Sequence, residues 1–257
     1  MSMRTLTGFG LLLALTITLA APRTADAQLI VTKKEIERQM RLRWLEMKRG
    51  LPILPNKRVQ AYAQCVAHQI IDVLDDEYKD LNWEVIVFDD PATNAEVMPG
   101  GKIAIYSGIL DVADTPAALA AVIGHETAHL TQNHVMERAR AASKTNALVI
   151  LGNAATGLGG MIGAGAQLGL MLPYQRGQES EADLVGMGYM AKAGYDPRAT
   201  LYLWKNMIAH DDRRASEFLS THPAPDTRME DLARNLAPAL IEYNDAVAAG
   251  KNPDCQL

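Results

Sequence analysis

Three residues in the segment Ala-Val-Ile-Gly-His-Glu-Thr-Ala-His-Leu, 121–130, could do chemistry together. His125 and His129 are four apart, so a helix stacks their imidazoles on one face, one turn apart. Two imidazoles so placed can reach one zinc ion at ~2 Å each. Glu126 is the next residue along, rotated off that axis, where it can address a water on the metal rather than the metal itself. This is the H-E-x-x-H arrangement, with the glutamate as general base. Seven apolar residues, Ala117 to Ile123, lead into it. Polar groups continuing such a run are costly to bury unless something pairs with them.

A catalytic zinc takes three protein ligands and one open position. His134 is one candidate for the third ligand, but a glycine at 132 and a histidine at 135 would be needed for the longer H-E-x-x-H-x-x-G-x-x-H pattern. The sequence has Gln132 and Val135. On a continuous helix His134 also turns away from His125, so it reads as a surface or helix-end residue. The segment 176–183, Arg-Gly-Gln-Glu-Ser-Glu-Ala-Asp, is the better source. Glu179 and Asp183 are four apart on one predicted helix. Glu179 can close the coordination sphere, and Asp183 can accept a hydrogen bond from the free ring nitrogen of His125, fixing its tautomer. Glu181 points elsewhere and is expected in solvent.

These side chains need elements to hold them. Residues 32–50 and 56–79 have helical spacing of apolar residues, with Pro52 and Pro55 between them. Trp83 to Phe88 reads as a strand, and Ala95 to Met98 meets the turn Pro99-Gly100-Gly101 before a second strand, Lys102 to Ser107. Thr115 suits an N-cap and Pro116 a first helical position. The helix they open carries the histidines and is expected to run on through Glu137 to Arg140. A charged helix from about Gln178 to Lys192 ends at Gly194, another starts near Asp196-Pro197, and the loop Ser220 to Pro223 precedes a last helical region. The predicted fold class is α+β and predominantly helical, with a small sheet beside the histidine helix.

Residues 1–27 have the layout of a secretory signal peptide: Arg4, an apolar run from Leu6 to Ala21, and the small-x-small site Ala25-Asp26-Ala27. Residues 28–257 are then one domain. The net charge of -5 and the lack of a basic cluster argue against a nucleic-acid partner. Cys65 and Cys255 are the only cysteines. In an exported protein they could pair across a long loop, or stay as a buried thiol and a tail thiol.

HETAH, ESEAD and STHPAPDTR together resemble the M48 family of zinc metallopeptidases, of the secreted single-domain kind. NAEVMPGGKIAIYSGIL and AGYDPRAT extend the resemblance over most of the chain. One departure is Gln175-Arg176, where the family has Ser-Arg. The resemblance implies a gluzincin fold, with one zinc held by His125, His129 and Glu179, and Glu126 as catalytic base. His222 corresponds to the family's His-Pro. It either donates to the tetrahedral oxyanion or occupies the open zinc position and keeps the enzyme latent. Arg228 matches the pattern without an assigned role, Tyr174 is a weaker oxyanion candidate, and His68 and His210 are expected to be structural or on the surface. The strand Lys102 to Ser107 is expected to form the upper rim of the cleft, where extended substrate adds as a strand.

The implied function is endopeptidase quality control of unfolded or misassembled envelope proteins in the periplasm, with an association with membrane or outer-membrane proteins left open. The alternative is a holdase or assembly factor with a latent zinc site. Residues 145–175 carry no charge and seven glycines. A single span there would separate His125 and His129 from Glu179 across a bilayer, so the segment is expected to be buried or to lie over the cleft as a lid.

Overall fold

The computed structural model describes residues 32–143, 172–209, 222 and 227–257. The expected signal peptide, nearly all of the uncharged segment 145–175, His210 and most of the loop 220–223 lie outside them.

Helix α1 spans Lys33–Gly50, with the Thr32 hydroxyl accepting from the Glu35 amide. Helix α2 spans Lys57–Ile71, capped by Asn56. Its Tyr62, Ala63, Val66, Ala67 and Ile70 are buried at helical spacing, which makes one apolar face. A short turn of helix, α3 (Asp76–Lys79), precedes three strands: β1 (Glu84–Phe88), β2 (Ala95–Met98) and β3 (Lys102–Tyr106). Gly100 and Gly101 take φ of 92° and 79° and close the β2–β3 hairpin that the sequence predicts. β1 pairs parallel to β3, so the sheet order is β1-β3-β2. This corrects the expectation for the rim. β3 is the central strand, with both edges already paired. Among the described residues β1 and β2 are the edge strands, and Ile53 bridges β1 at Phe88 while β2 pairs with β3 alone.

Helix α4 (Pro116–Thr131) starts as predicted, with Thr115 accepting from the Ala118 amide and Pro116 in the first turn. Every residue from Ala118 to Leu130 is buried, as an all-round apolar helix must be. It does not continue into the charged segment. The chain turns at Gln132-Asn133, with Asn133 at φ 59°, and a separate helix, α5, occupies 134–143. Asparagine is one of the few side chains that accept this left-handed conformation, and it ends helices for that reason.

Among the described residues, four more helices follow: α6 (Leu172–Lys192), α7 (Ala199–Ala209), α8 (Thr227–Arg234) and α9 (Leu236–Ala248). α4 and α6 cross where Gly124 meets Gly186. A Cβ on Gly186 would lie 2.6 Å from the His125 backbone nitrogen, and one on Gly124 would lie 2.8 Å from the Gly186 carbonyl oxygen. Two hydrophobic cores lie among the described residues. One joins α2, β1, α4, α6 and α7, and the other packs Trp44 and Met47 of α1 on Phe88, Met98 and Ala104 of the sheet. No helix among the described residues is long and apolar enough to cross a membrane.

Cys65 on α2 and Cys255 in the tail form a disulfide across 190 residues. Closing so long a loop restricts the unfolded chain. Replacing Cys255 by Ser, or adding reductant, should lower the unfolding free energy by about 2–5 kcal/mol. Denaturant titration with and without reductant checks this; coincident curves would show that the pair does not form.

Candidate metal centre

The crossing of α4 and α6 brings together the residues that the sequence singles out. His125 Nε2 and His129 Nε2 are 3.1 Å apart. Glu179 reaches them from α6, with Oε2 3.3 Å from His125 Nε2 and Oε1 3.5 Å from His129 Nε2. His222 completes the group: its Nδ1 lies 2.8 Å from Glu179 Oε2 and 3.2 Å from His125 Nε2. All four residues are buried, and their donor atoms fall within 4.8 Å of one another.

The donor set fits a zinc ion. Ligands at ~2.0–2.1 Å around a tetrahedral ion lie roughly 3.3 Å from each other, close to the spacings found here. The ring chemistry points the same way. His125 Nδ1 is engaged by Asp183 Oδ1 at 3.0 Å, and His129 Nδ1 by His134 Nδ1 at 2.8 Å. With both Nδ1 atoms used, neutral rings would present two Nε2 lone pairs and a carboxylate to the same buried point. Such a cluster needs a cation.

Each donor is held from behind. Asp183 is gripped by Arg228, with Nε to Oδ2 at 2.6 Å and Nη2 to Oδ1 at 2.7 Å. Arg228 is itself buried, stacked 4.2 Å over the Trp204 ring. Removing either partner of such a buried pair strands a charge, at a cost of about 3–5 kcal/mol. Glu179 Oε1 accepts from Arg138 Nη2 at 2.9 Å. Arg138 also donates to Gln178 Oε1 at 2.7 Å, and Gln178 donates to Glu137 at 2.9 Å.

The electrostatics of the protein groups alone follow from these contacts. Burial would lower the His125 imidazole, but Asp183 and Glu179 outweigh it and raise it to about 9. Burial pushes His129 down to about 3. Burial opposes the charged form of Glu179, yet hydrogen bonds from three histidines hold its carboxyl far below the ordinary range. Asp183 is likewise lowered against the cost of burial, first by Arg228 and then by His125. Burial raises Glu126. Its Oε1 is buried with no hydrogen-bond partner, although His222 Nε2 lies 3.2 Å away. A buried, unpartnered carboxylate oxygen beside a metal-binding cluster is suited to take up a proton.

His125, Glu126, His129, Glu179, Asp183 and His222 are thus brought together. His68 is exposed on α2, as expected. One reading changes: His134 is not a surface residue, but is 1 % exposed and bonded to His129. Glu181 is exposed as expected, and its Oε2 also lies 3.3 Å from His134 Nε2. The sequence reading also missed Arg138, and it gave Arg228 no role. The i, i+4 spacing of Arg138 to His134 and of Glu137 to Asn133 carries no signal of a contact with another helix.

A cleft of about 360 Å³ opens beside the cluster. Residues 94–99 of β2 and its flanks line one wall, Met40 and Arg43 of α1 join them, and Glu126, His129, Arg138 and His222 lie at its base.

A histidine pair with an adjoining glutamate on one helix, and a carboxylate from a second helix beside a small sheet, define a zincin-like metallohydrolase. The chain belongs to peptidase family M48, whose family model matches residues 57–236. Membership places it among metallopeptidases that use zinc, which the donor set accommodates. It is 37% identical over 166 residues to the mitochondrial metalloendopeptidase OMA1 of Schizosaccharomyces pombe, covering 63% of this chain and 49% of that protein. It is 29% identical over 262 residues to the mitochondrial metalloendopeptidase OMA1 of Bos taurus, covering 91% of this chain and 50% of the relative. It is 34% identical over 159 residues to the beta-barrel assembly-enhancing protease of Yersinia pestis, covering 56% of this chain and 32% of the relative. The chain therefore spans about half or less of the length of these curated relatives.

Gly186→Ala tests the positioning. Its Cβ would press on backbone rather than on a flexible side chain. The helices must separate, which should cost about 1–3 kcal/mol and weaken zinc binding in a chelator competition. Unchanged stability and zinc affinity would show that the close crossing does not set the site.

Proposed function

We propose that the chain is an exported zinc endopeptidase that cleaves extended, unfolded segments of other proteins. The observation that carries this reading is the buried trio His125, His129 and Glu179 with the buried Glu126 carboxylate, its Oε1 3.2 Å from His222 Nε2, at its side. Zinc, when bound, supplies a Lewis acid that polarises the scissile carbonyl and acidifies a water. Glu126 takes the proton from that water and delivers it to the leaving amine. Asp183 and Arg228 keep the His125 ring oriented.

Substrate selection follows from the sheet. Among the described residues β2 pairs with β3 alone, and residues 94–99 line the cleft. A polypeptide in extended form can add to its open edge through backbone hydrogen bonds. Only unfolded segments can offer their backbone in this way, so recognition depends on shape more than on side chains.

The apolar stretch before residue 28 and the disulfide support export to an oxidising compartment such as the periplasm. The name of the Yersinia pestis relative, a beta-barrel assembly-enhancing protease, supports envelope proteins as substrates and outer-membrane proteins as associates.

His222 is read as a plug. Its Nδ1 stands in the donor group, 2.8 Å from Glu179, and its Nε2 faces Glu126. Four protein donors describe a closed site, whereas catalysis needs one position open. His222 therefore has to withdraw before substrate enters.

Two outcomes are expected. Glu126→Gln should retain zinc and lose about 10²–10⁴-fold in kcat on a long unstructured substrate, read by mass spectrometry of fragments with and without chelator. Full cleavage by the variant would exclude Glu126 as the base. Biological activity that survives with cleavage abolished would instead favour a holdase. His222→Ala should keep zinc on the remaining three ligands and raise kcat/KM; a fall would assign His222 to the oxyanion.

A further inference from the structure

His134 and Glu181 have no part in the proposed chemistry, yet both are tied to a metal-binding residue. His129 Nδ1 and His134 Nδ1 are 2.8 Å apart, and His134 Nε2 is 3.3 Å from Glu181 Oε2. The three groups come from α4, α5 and α6. We propose that His134 and Glu181 are positioning residues, which hold the His129 ring in the tautomer and orientation that turn Nε2 to the metal. The proposal rests on the zinc-site reading above and deepens it.

The argument is one of proton placement. Two ring nitrogens 2.8 Å apart share one hydrogen, so one donates and the other accepts. If His129 donates from Nδ1, its Nε2 carries a lone pair and can bind zinc. His134 then accepts at Nδ1, and as a neutral ring it carries its own hydrogen on Nε2, where Glu181 accepts it. In the reverse arrangement His134 donates to His129. The hydrogen on His129 would then sit on Nε2, facing His125 Nε2 at 3.1 Å and unable to ligate. The lone pair of His134 Nε2 would meanwhile face the Glu181 carboxylate. Glu181 disfavours that second arrangement, because two acceptors cannot share the contact. A carboxylate on α6 therefore selects the tautomer of a ligand on α4, through a ring on α5.

The backbone break makes the contact feasible. On a continuous helix, five residues rotate a side chain by about 140°, so His134 would point away from His129. The reversal at Asn133, φ 59°, folds α5 back and seats His134 against the ring one turn before it. His134 is 1 % exposed there, while the Glu181 side chain is half exposed. His125 has a matching device in Asp183 and Arg228. Each imidazole of the pair is thus oriented through its Nδ1 by a partner on another helix.

The test uses the full chain and zinc competition against a chelator, with the visible spectrum of the cobalt-loaded protein as a second readout. His134→Leu removes the acceptor and should weaken zinc binding by about 10–100-fold, with an altered cobalt spectrum. His134→Gln, whose side-chain carbonyl can accept from His129 Nδ1, should recover most of that loss. Glu181→Ala, at a half-exposed position, should give an intermediate loss and decides the question should His134→Leu fail to fold. A purely structural role would lower the stability of the metal-free chain without rescue of zinc affinity by glutamine. Zinc affinity within twofold of the parent in Glu181→Ala and His134→Leu, with an unchanged cobalt spectrum, would overturn the proposal. Failure of the parent chain to bind zinc would instead overturn the zinc-site reading, and absence of cleavage by the zinc-loaded parent chain would overturn the peptidase reading while leaving the zinc comparison intact.

Discussion

The backbone contact between Gly124 and Gly186 is the constraint on which the site depends. It sits directly before His125 and seven residues beyond Glu179, with Asp183 between. Each glycine lets the other helix approach to a distance that any side chain would prevent. At a wider crossing, Glu179 would stand off from the imidazole pair and Asp183 from the His125 Nδ1. A metal site tolerates little such error, since ligand distances are fixed within a few tenths of an ångström. Interiors packed to crystal-like density do not absorb the shift elsewhere. The position of two hydrogen atoms in place of methyl groups therefore sets the geometry of the candidate centre.

Much of this centre is legible in the sequence because it is local. The i, i+4 pairs His125/His129 and Glu179/Asp183 each need only one regular helix to align them, and Thr115-Pro116 marks where the first begins. The hairpin at Pro99-Gly100-Gly101 is equally local. What escaped the sequence is non-local. The turn at Asn133 depends on one residue taking a left-handed φ, and nothing in the residue types before it forces a stop. Once the helix breaks there, His134 changes from a solvent-facing residue to a buried partner of His129. The pairing of β1 parallel to β3 puts β2 at the edge, and no strand shows in its own residues which neighbours it will have. Arg228 and Arg138 act across more than forty residues of sequence, and the disulfide across 190.

The same non-local contacts explain how a buried cluster of charges is tolerated. Three carboxylates, Glu126, Glu179 and Asp183, lie buried within one site. Arg228 and Arg138 offset two of them, each with a short charge-assisted bond. Glu126 is left without such a partner, and its carboxyl is raised by burial. The guanidinium contacts thus go to the two carboxylates that hold His125 and face the imidazole pair, while Glu126 faces the His222 ring at 3.2 Å. Departures from full pairing of this kind are expected where chemistry is done rather than where structure is held.

Arg228 also bears on how a closed site could open without losing its ligands. Its two short bonds, at 2.6 and 2.7 Å, go to Asp183. The bond to the His222 carbonyl is longer, at 3.4 Å. A contact at that length is the weaker of the two kinds, since hydrogen bonds lose strength steeply beyond the optimal distance. Withdrawal of His222 would break this long contact together with those to Glu179, His125 and Glu126, and would leave the bidentate grip on Asp183 in place. Asp183 would in turn keep the His125 ring aligned. One buried guanidinium, stacked on Trp204, thus touches both the Asp183 carboxylate behind His125 and the backbone of His222.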